Sequence, residues 1–235
     1  MCGIAGRILR APGKVGHDLV ELMDAQEHRG ADSTGFAIYG VSRDTGYVLR
    51  GMGFDKTNLA ADIDDFRHLL TAHGSDLIEE PLIVTDDDPH YCVRMVIKDP
   101  KDLGSWINEA DELSARFEVQ SCGRSLEIIK DVGGSEQVAQ KHGVRDLIGS
   151  HGLGHARLAT ESSVLPNASH PFWARPFPDV AIVEGIATVL AEHGLNAGNV
   201  IRLSHGTTVG TNALIQRKVG KVAVVTSEGF RDLLE

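Results

Sequence analysis

The chain has 235 residues, of which 42% are hydrophobic and 24% charged, and its formal net charge is −10. That is the composition of a soluble globular protein, long enough to bury a sizeable core in one large or two small domains. The acidic balance argues against non-specific binding to nucleic acid or an anionic membrane, and no apolar run approaches the ~20 residues that span a bilayer. The opening segment MCGIAGRILR lacks a basic stretch followed by a long apolar one, so it does not read as a secretory signal. Cys2, Cys92 and Cys122 are odd in number and widely spaced. No disulfide framework is expected, and the reducing cytoplasm is the expected compartment.

In chain order, short apolar runs broken by glycine predict strands over 3–9, 36–40 and 47–49. Between the first two, Asp18 reads as the N-cap of a helix carrying Leu19, Leu22 and Met23, closed by Gly30. Residues 55–90 read as a helix around Phe66, Leu69 and Leu70, followed by a connection through a solvated acidic turn, Asp86-Asp87-Asp88. Alternation at Tyr91, Val93, Met95 and Ile97 predicts a strand, and Trp106, Ile107 and Ala110 mark a helix face. Two further strands are expected over 117–121 and 125–130, then a turn at Asp131-Val132-Gly133-Gly134 and a helix over 135–142 closed by Gly143. Residues 148–183 are rich in Gly, His and Pro and read as loops crossing a site, with His151, His155 and His170 as loop histidines rather than metal ligands. From 184 the pattern turns βαβ-like, with strands at 200–203 and 222–226 and a helix between them.

Cys2 carries the strongest chemical signal. Removal of Met1 would place a free α-amine on the residue that bears the thiol. Such an amine titrates near ~7.7–8.0, so nucleophile and general base would come from one residue. Cys92 and Cys122 lack this arrangement and read as structural thiols.

The segment Met1-Cys2-Gly3-Ile4-Ala5-Gly6 resembles the start of class II glutamine amidotransferase domains, N-terminal-nucleophile hydrolases. His28-Arg29-Gly30-Ala31-Asp32-Ser33-Thr34-Gly35 is similar to the second signature of that family, and Gly154-His155-Ala156-Arg157-Leu158-Ala159-Thr160 to the third. Ser169-His170-Pro171-Phe172 is similar to the segment that follows. Among such proteins, the chain looks most like stand-alone subunits of glutamate-synthase and N-methylglutamate-synthase systems.

The resemblance implies an α/β (α+β) fold. Residues 1–183 would form most of a four-layer αββα sandwich, with a small α+β insert near 55–147. It also implies that Cys2 attacks the side-chain amide of glutamine to form a thioester, and that its amine passes the proton to departing ammonia. Arg157 would grip the α-carboxylate of glutamine and Thr160 would line the same pocket. Arg29 and Asp32 would either brace the loop beside the nucleophile or form an ordinary helix-end salt bridge. Ammonia would pass to a partner synthase or transferase subunit, and the chemistry needs no metal or organic cofactor.

In that family the strand similar to Val180-Ala181-Ile182-Val183 runs into Asn-Gly, which forms the oxyanion hole; here the pair is Glu184-Gly185. Gly185 retains a backbone donor, but an ionised Glu184 cannot donate. Loss of one such donor costs on the order of 10²–10³ in kcat. Residues 184–235, above all His205-Gly206-Thr207-Thr208-Val209-Gly210-Thr211-Asn212 and Thr226-Ser227-Glu228-Gly229-Phe230, resemble the N-terminal region of the hydantoinase A/5-oxoprolinase family. The chain therefore reads as an amidotransferase-like domain joined near 184 to an α/β fragment of a second enzyme type. The alternatives are a fragment of an ATP-dependent hydantoinase or 5-oxoprolinase, and a non-catalytic glutamine-binding subunit.

Overall fold

In the computed structural model of the protein, the described residues are 3–27, 32–110, 113, 115–157 and 169–182. The chain divides into two compact units, Met1–Ala197 and Gly198–Glu235, and every described residue belongs to the first. The elements expected after residue 183 lie outside the described residues. The helix expected to close at Gly30 instead ends at Asp24, with Ala25 as its C-cap.

The strands are β1 (Gly3–Gly13), β2 (Ser33–Gly40), β3 (Tyr47–Gly53), β4 (Leu82–Val84), β5 (Tyr91–Ile97), β6 (Phe117–Gly123), β7 (Leu126–Val132), β8 (Gly149–Arg157), β9 (Phe172–Trp173) and β10 (Ala181–Ile182). The helices are α1 (Val15–Asp24), α2 (Leu59–Ala72), α3 (Leu103–Ala110) and α4 (Ser135–His142). One four-stranded sheet has the order β1-β8-β2-β7 and the other β4-β5-β3-β6, with β9 and β10 forming a short ribbon. All pairings are antiparallel, so the described part is a mixed α/β protein of the α+β kind. The segment expected as an insert supplies β5 and β6 to one sheet and β7 to the other.

Side-chain alternation sorts the first sheet between two cores. Phe36 and Ile38 of β2 and Ile129 of β7 pack with Val15, Leu19, Val20 and Met23 of α1 and Val138 and Ala139 of α4. Their neighbours Ala37 and Ile128 join the other core instead, as strand residues on opposite faces must. That second core gathers Phe66 and Leu70 of α2, Trp106 and Ile107 of α3, and Tyr91, Val93 and Met95 of β5.

Two further expectations are corrected. Helix α1 begins at Val15 after Lys14, and Asp18 lies in its first turn rather than capping it. The Asp18 carboxylate accepts from Arg7 Nε at 2.8 Å, which engages it away from the helix terminus. Residues 149–157 are not a loop but β8, an inner strand of the first sheet. Its glycines allow close packing: a Cβ at Gly154 would lie 2.6 Å from Met23 Cγ, and one at Gly152 would lie 2.7 Å from Leu19 Cδ1.

Candidate functional site

Strand order brings the separated sequence signatures to one end of the first sheet. β1 begins where β8 ends, with Gly3 opposite Ala156. On the other side of β8, Ser33 at the start of β2 lies opposite Arg157. The Asp32 amide donates to the Arg157 carbonyl at 3.2 Å, and the Asp32 carbonyl accepts from the Gly133 amide at 3.0 Å. Thr34 Oγ1 donates to the Gly133 carbonyl at 2.9 Å, so the β2 start is also tied to the turn after β7. That turn uses Gly133 at φ +111°, where a Cβ would also meet the Gln137 side chain at 2.3 Å.

The fourth segment covers the same strands. A Cβ on Gly35 would sit 2.1 Å from the His170 carbonyl oxygen, so the backbone at 170 rests directly on β2. The His155 and His170 rings meet edge to face with centroids 4.9 Å apart, and His170 meets Phe172 at 4.7 Å. Burial lowers the His155 pKa to about 4, and the nearby His170 and Arg157 add to the shift. His155 is therefore a neutral imidazole at physiological pH.

Of the site residues expected from sequence, Asp32 and Arg157 are joined through the backbone bond just described. Cys2, Arg29, Thr160 and Gly185, together with Glu184, lie outside the described residues. Cys92 and Cys122 are free and buried, and burial pushes the Cys92 thiol up to about 12, which suits a structural thiol.

Sequence reasoning missed a buried charged cluster behind this end of β7. Asp131 accepts from His90 Nε2 and from His142 Nε2, each at 2.7 Å, and from its own neighbour Val132 N at 2.8 Å. Lys141 Nζ lies 2.7 Å from the same carboxylate. Burial alone would raise the Asp131 pKa, but the bonds from His142, His90 and Lys141 outweigh it and hold the carboxyl far below the ordinary range. His90, Cys92 and Asp131 also have the donor types of a metal site within 4.8 Å of one another. With both carboxylate oxygens engaged by imidazoles and an ammonium beside them, the group fits an ion-pair network better than a cation. The signal was present in the sequence: Lys130-Asp131 sets two adjacent charges between the apolar Ile128-Ile129 and Val132.

Next to that cluster, a cavity of about 370 Å³ is lined by Lys130, Glu118, Arg175 and Phe172 among others. Phe172 belongs both to this cavity and to the ring cluster with His170. No helix among the described residues is long and apolar enough to cross a membrane.

Comparison with known proteins divides the chain in the same two directions. A putative glutamine amidotransferase of Methanothermobacter thermautotrophicus is 33% identical over 188 residues, covering 78% of this chain and 60% of that protein. The glutamine amidotransferase-like protein GlxB of Rhizobium meliloti is 32% identical over 175 residues, covering 73% of this chain and 54% of that protein. The chain thus spans between 54% and 60% of the length of these two relatives. The family described as the hydantoinase/oxoprolinase N-terminal region matches residues 162–235. A 5-oxoprolinase of Dictyostelium discoideum is 73% identical over 30 residues, which is 13% of this chain and 2% of that protein. A match over 78% of the chain and one over 162–235 necessarily share residues, so the two likenesses overlap. The chain is a composite, glutamine amidotransferase-like over its larger part and similar to the hydantoinase/oxoprolinase N-terminal region over its tail.

Proposed function

We propose that the larger part of the chain is a glutaminase domain of the N-terminal-nucleophile type, hydrolysing glutamine to glutamate and ammonia. The observation that carries this reading is the convergence of three signature segments at the starts of β1 and β2 and the end of β8. Two helices packed on the first sheet and two on the core of the second support the four-layer αββα arrangement.

In this reading Cys2 supplies both thiol and base. The thiolate adds to the glutamine Cδ carbonyl, the tetrahedral intermediate expels ammonia after the α-ammonium donates its proton, and water then hydrolyses the thioester to glutamate. Arg157 holds the α-carboxylate of glutamine through its planar fork, and Thr160 lines the same pocket. Asp32 acts through the backbone, fixing the end of β8 that presents Arg157. Arg29 braces the preceding loop, and the Gly185 amide stabilises the oxyanion. Ammonia then reaches a partner synthase or transferase subunit.

The match of residues 162–235 favours a second reading, in which the tail marks the chain as part of an ATP-dependent hydantoinase or 5-oxoprolinase. Ammonia release from L-glutamine separates the two. The glutaminase reading expects turnover that Cys2→Ala abolishes and Glu184→Asn raises by about 10²-fold, through restoration of an oxyanion donor. Turnover that survives Cys2→Ala contradicts it.

A further inference from the structure

The cavity beside Phe172 contains a buried cation that the proposed glutamine chemistry does not use. Lys130 reaches it from β7 with its side chain 1% exposed. Among the described residues the ammonium makes no hydrogen bond or ion pair; it lies 4.7 Å from the centroid of the Phe172 ring. A buried ammonium that faces a cavity with no protein acceptor in reach among the described residues is costly, and such groups are retained where an acceptor meets them.

The rest of the lining narrows what that acceptor is. Phe54, Phe172 and Trp173 present aromatic walls, which suit a ligand with an apolar body. Arg175 adds positive potential while one of its nitrogens donates to the Val119 carbonyl at 2.7 Å. Glu118 lies in the same wall and is attracted to Lys130 across the cavity without pairing with it. A carboxylate there repels a phosphate dianion, yet it offers an acceptor to any hydroxyl or ammonium on a singly charged ligand.

We propose that this cavity binds a small monocarboxylate bearing a hydrogen-bond donor, its carboxylate on Lys130 and its donor on Glu118. Asp32 and Arg157, the two expected site residues that are described, are not among the lining residues, and the glutaminase reading assigns no role to Lys130 or Glu118. Burial lowers the Lys130 pKa to about 8, with Glu118 opposing the shift, so the ammonium form prevails at neutral pH.

The test uses the full chain with L-lactate and L-phenyllactate as probes and inorganic phosphate as the comparison. Binding is read by calorimetry, and protection of Lys130 from acetic anhydride by peptide mass mapping. Both hydroxy acids are expected to bind, phenyllactate more tightly, and to slow acetylation of Lys130. Lys130→Met is expected to weaken binding about tenfold or more, the value of a hydrogen bond to a charged group. Arg157→Ala is expected to leave binding of these probes unchanged. Absence of Lys130 protection in the wild-type chain overturns the proposal whether or not the variant folds. So do phosphate protection equal to that of the hydroxy acids, and loss of binding in Arg157→Ala.

Discussion

The backbone amide of Asp32 donates to the carbonyl of Arg157 at 3.2 Å, joining two segments that lie far apart in sequence. The bond uses main-chain atoms alone, so it survives substitution of either side chain. Arg157→Lys is therefore expected to keep the fold while losing the bidentate grip on a carboxylate. Glutamine affinity measured by calorimetry should fall by about tenfold, the cost of replacing a planar fork with a point charge. Unchanged affinity would remove Arg157 from the substrate pocket.

Gly35 marks the closest approach of the 169–173 segment to the first sheet. A Cβ there would meet the His170 carbonyl oxygen at 2.1 Å and its carbonyl carbon at 3.0 Å, both backbone atoms that cannot rotate away. Gly35→Ala is expected to destabilise the chain by about 1–3 kcal/mol in denaturant unfolding. It should also separate the His155 and His170 rings, which a change in imidazole chemical shifts would report. A neutral effect on both would contradict the packing.

His155 links this region to pH. Its pKa in the folded chain is lowered to about 4, below the 6.5 of an exposed imidazole, by burial first and then by His170 and Arg157. Between these two values the unfolded chain holds the proton and the folded chain does not. The contribution of His155 is thus intact above pH 6.5 and declines as pH falls toward 4, by about 3 kcal/mol in total. Urea unfolding from pH 7 to 4 should show a decline shallower by that amount in His155→Gln than in the parent chain. Parallel profiles would mean that the imidazole titrates normally.

Asp131 anchors His90, His142 and Lys141 at one carboxylate. Asp131→Asn keeps the shape but removes the buried negative charge that His90, His142 and Lys141 share, leaving Lys141 with Asp86 alone, and should cost about 3–5 kcal/mol in denaturant unfolding. In the parent chain the carboxyl is held well below its ordinary range, so its contribution is present above pH ~4 and is lost only under strong acid. A cost under about 1 kcal/mol would show that the cluster is solvated.

Much of the fold was legible where side-chain periodicity was strong. The alternation at Tyr91, Val93, Met95 and Ile97 matches β5, and α4 runs from Ser135 to His142 before Gly143 at φ +66°. Strand β8 was hidden because its sheet contacts are made by glycines, which carry no apolar signal but let Leu19 and Met23 close down on the strand. Strand β4, Leu82–Val84, was too short and exposed to register against the acidic turn that follows. The site was legible as segments, since Arg157 and Asp32 stand in recognisable motifs. Lys130 was not, because a lysine near a strand end reads as solvated until the structure places Phe172 over it.

Intact-mass analysis after treatment with a diazoketone analogue of glutamine tests the central claim most directly. The account predicts a protein lacking Met1 that gains a single adduct, mapped to Cys2 and absent after competition with L-glutamine. A chain that retains Met1 and stays unmodified, or an adduct on Cys92 or Cys122 instead, would contradict it.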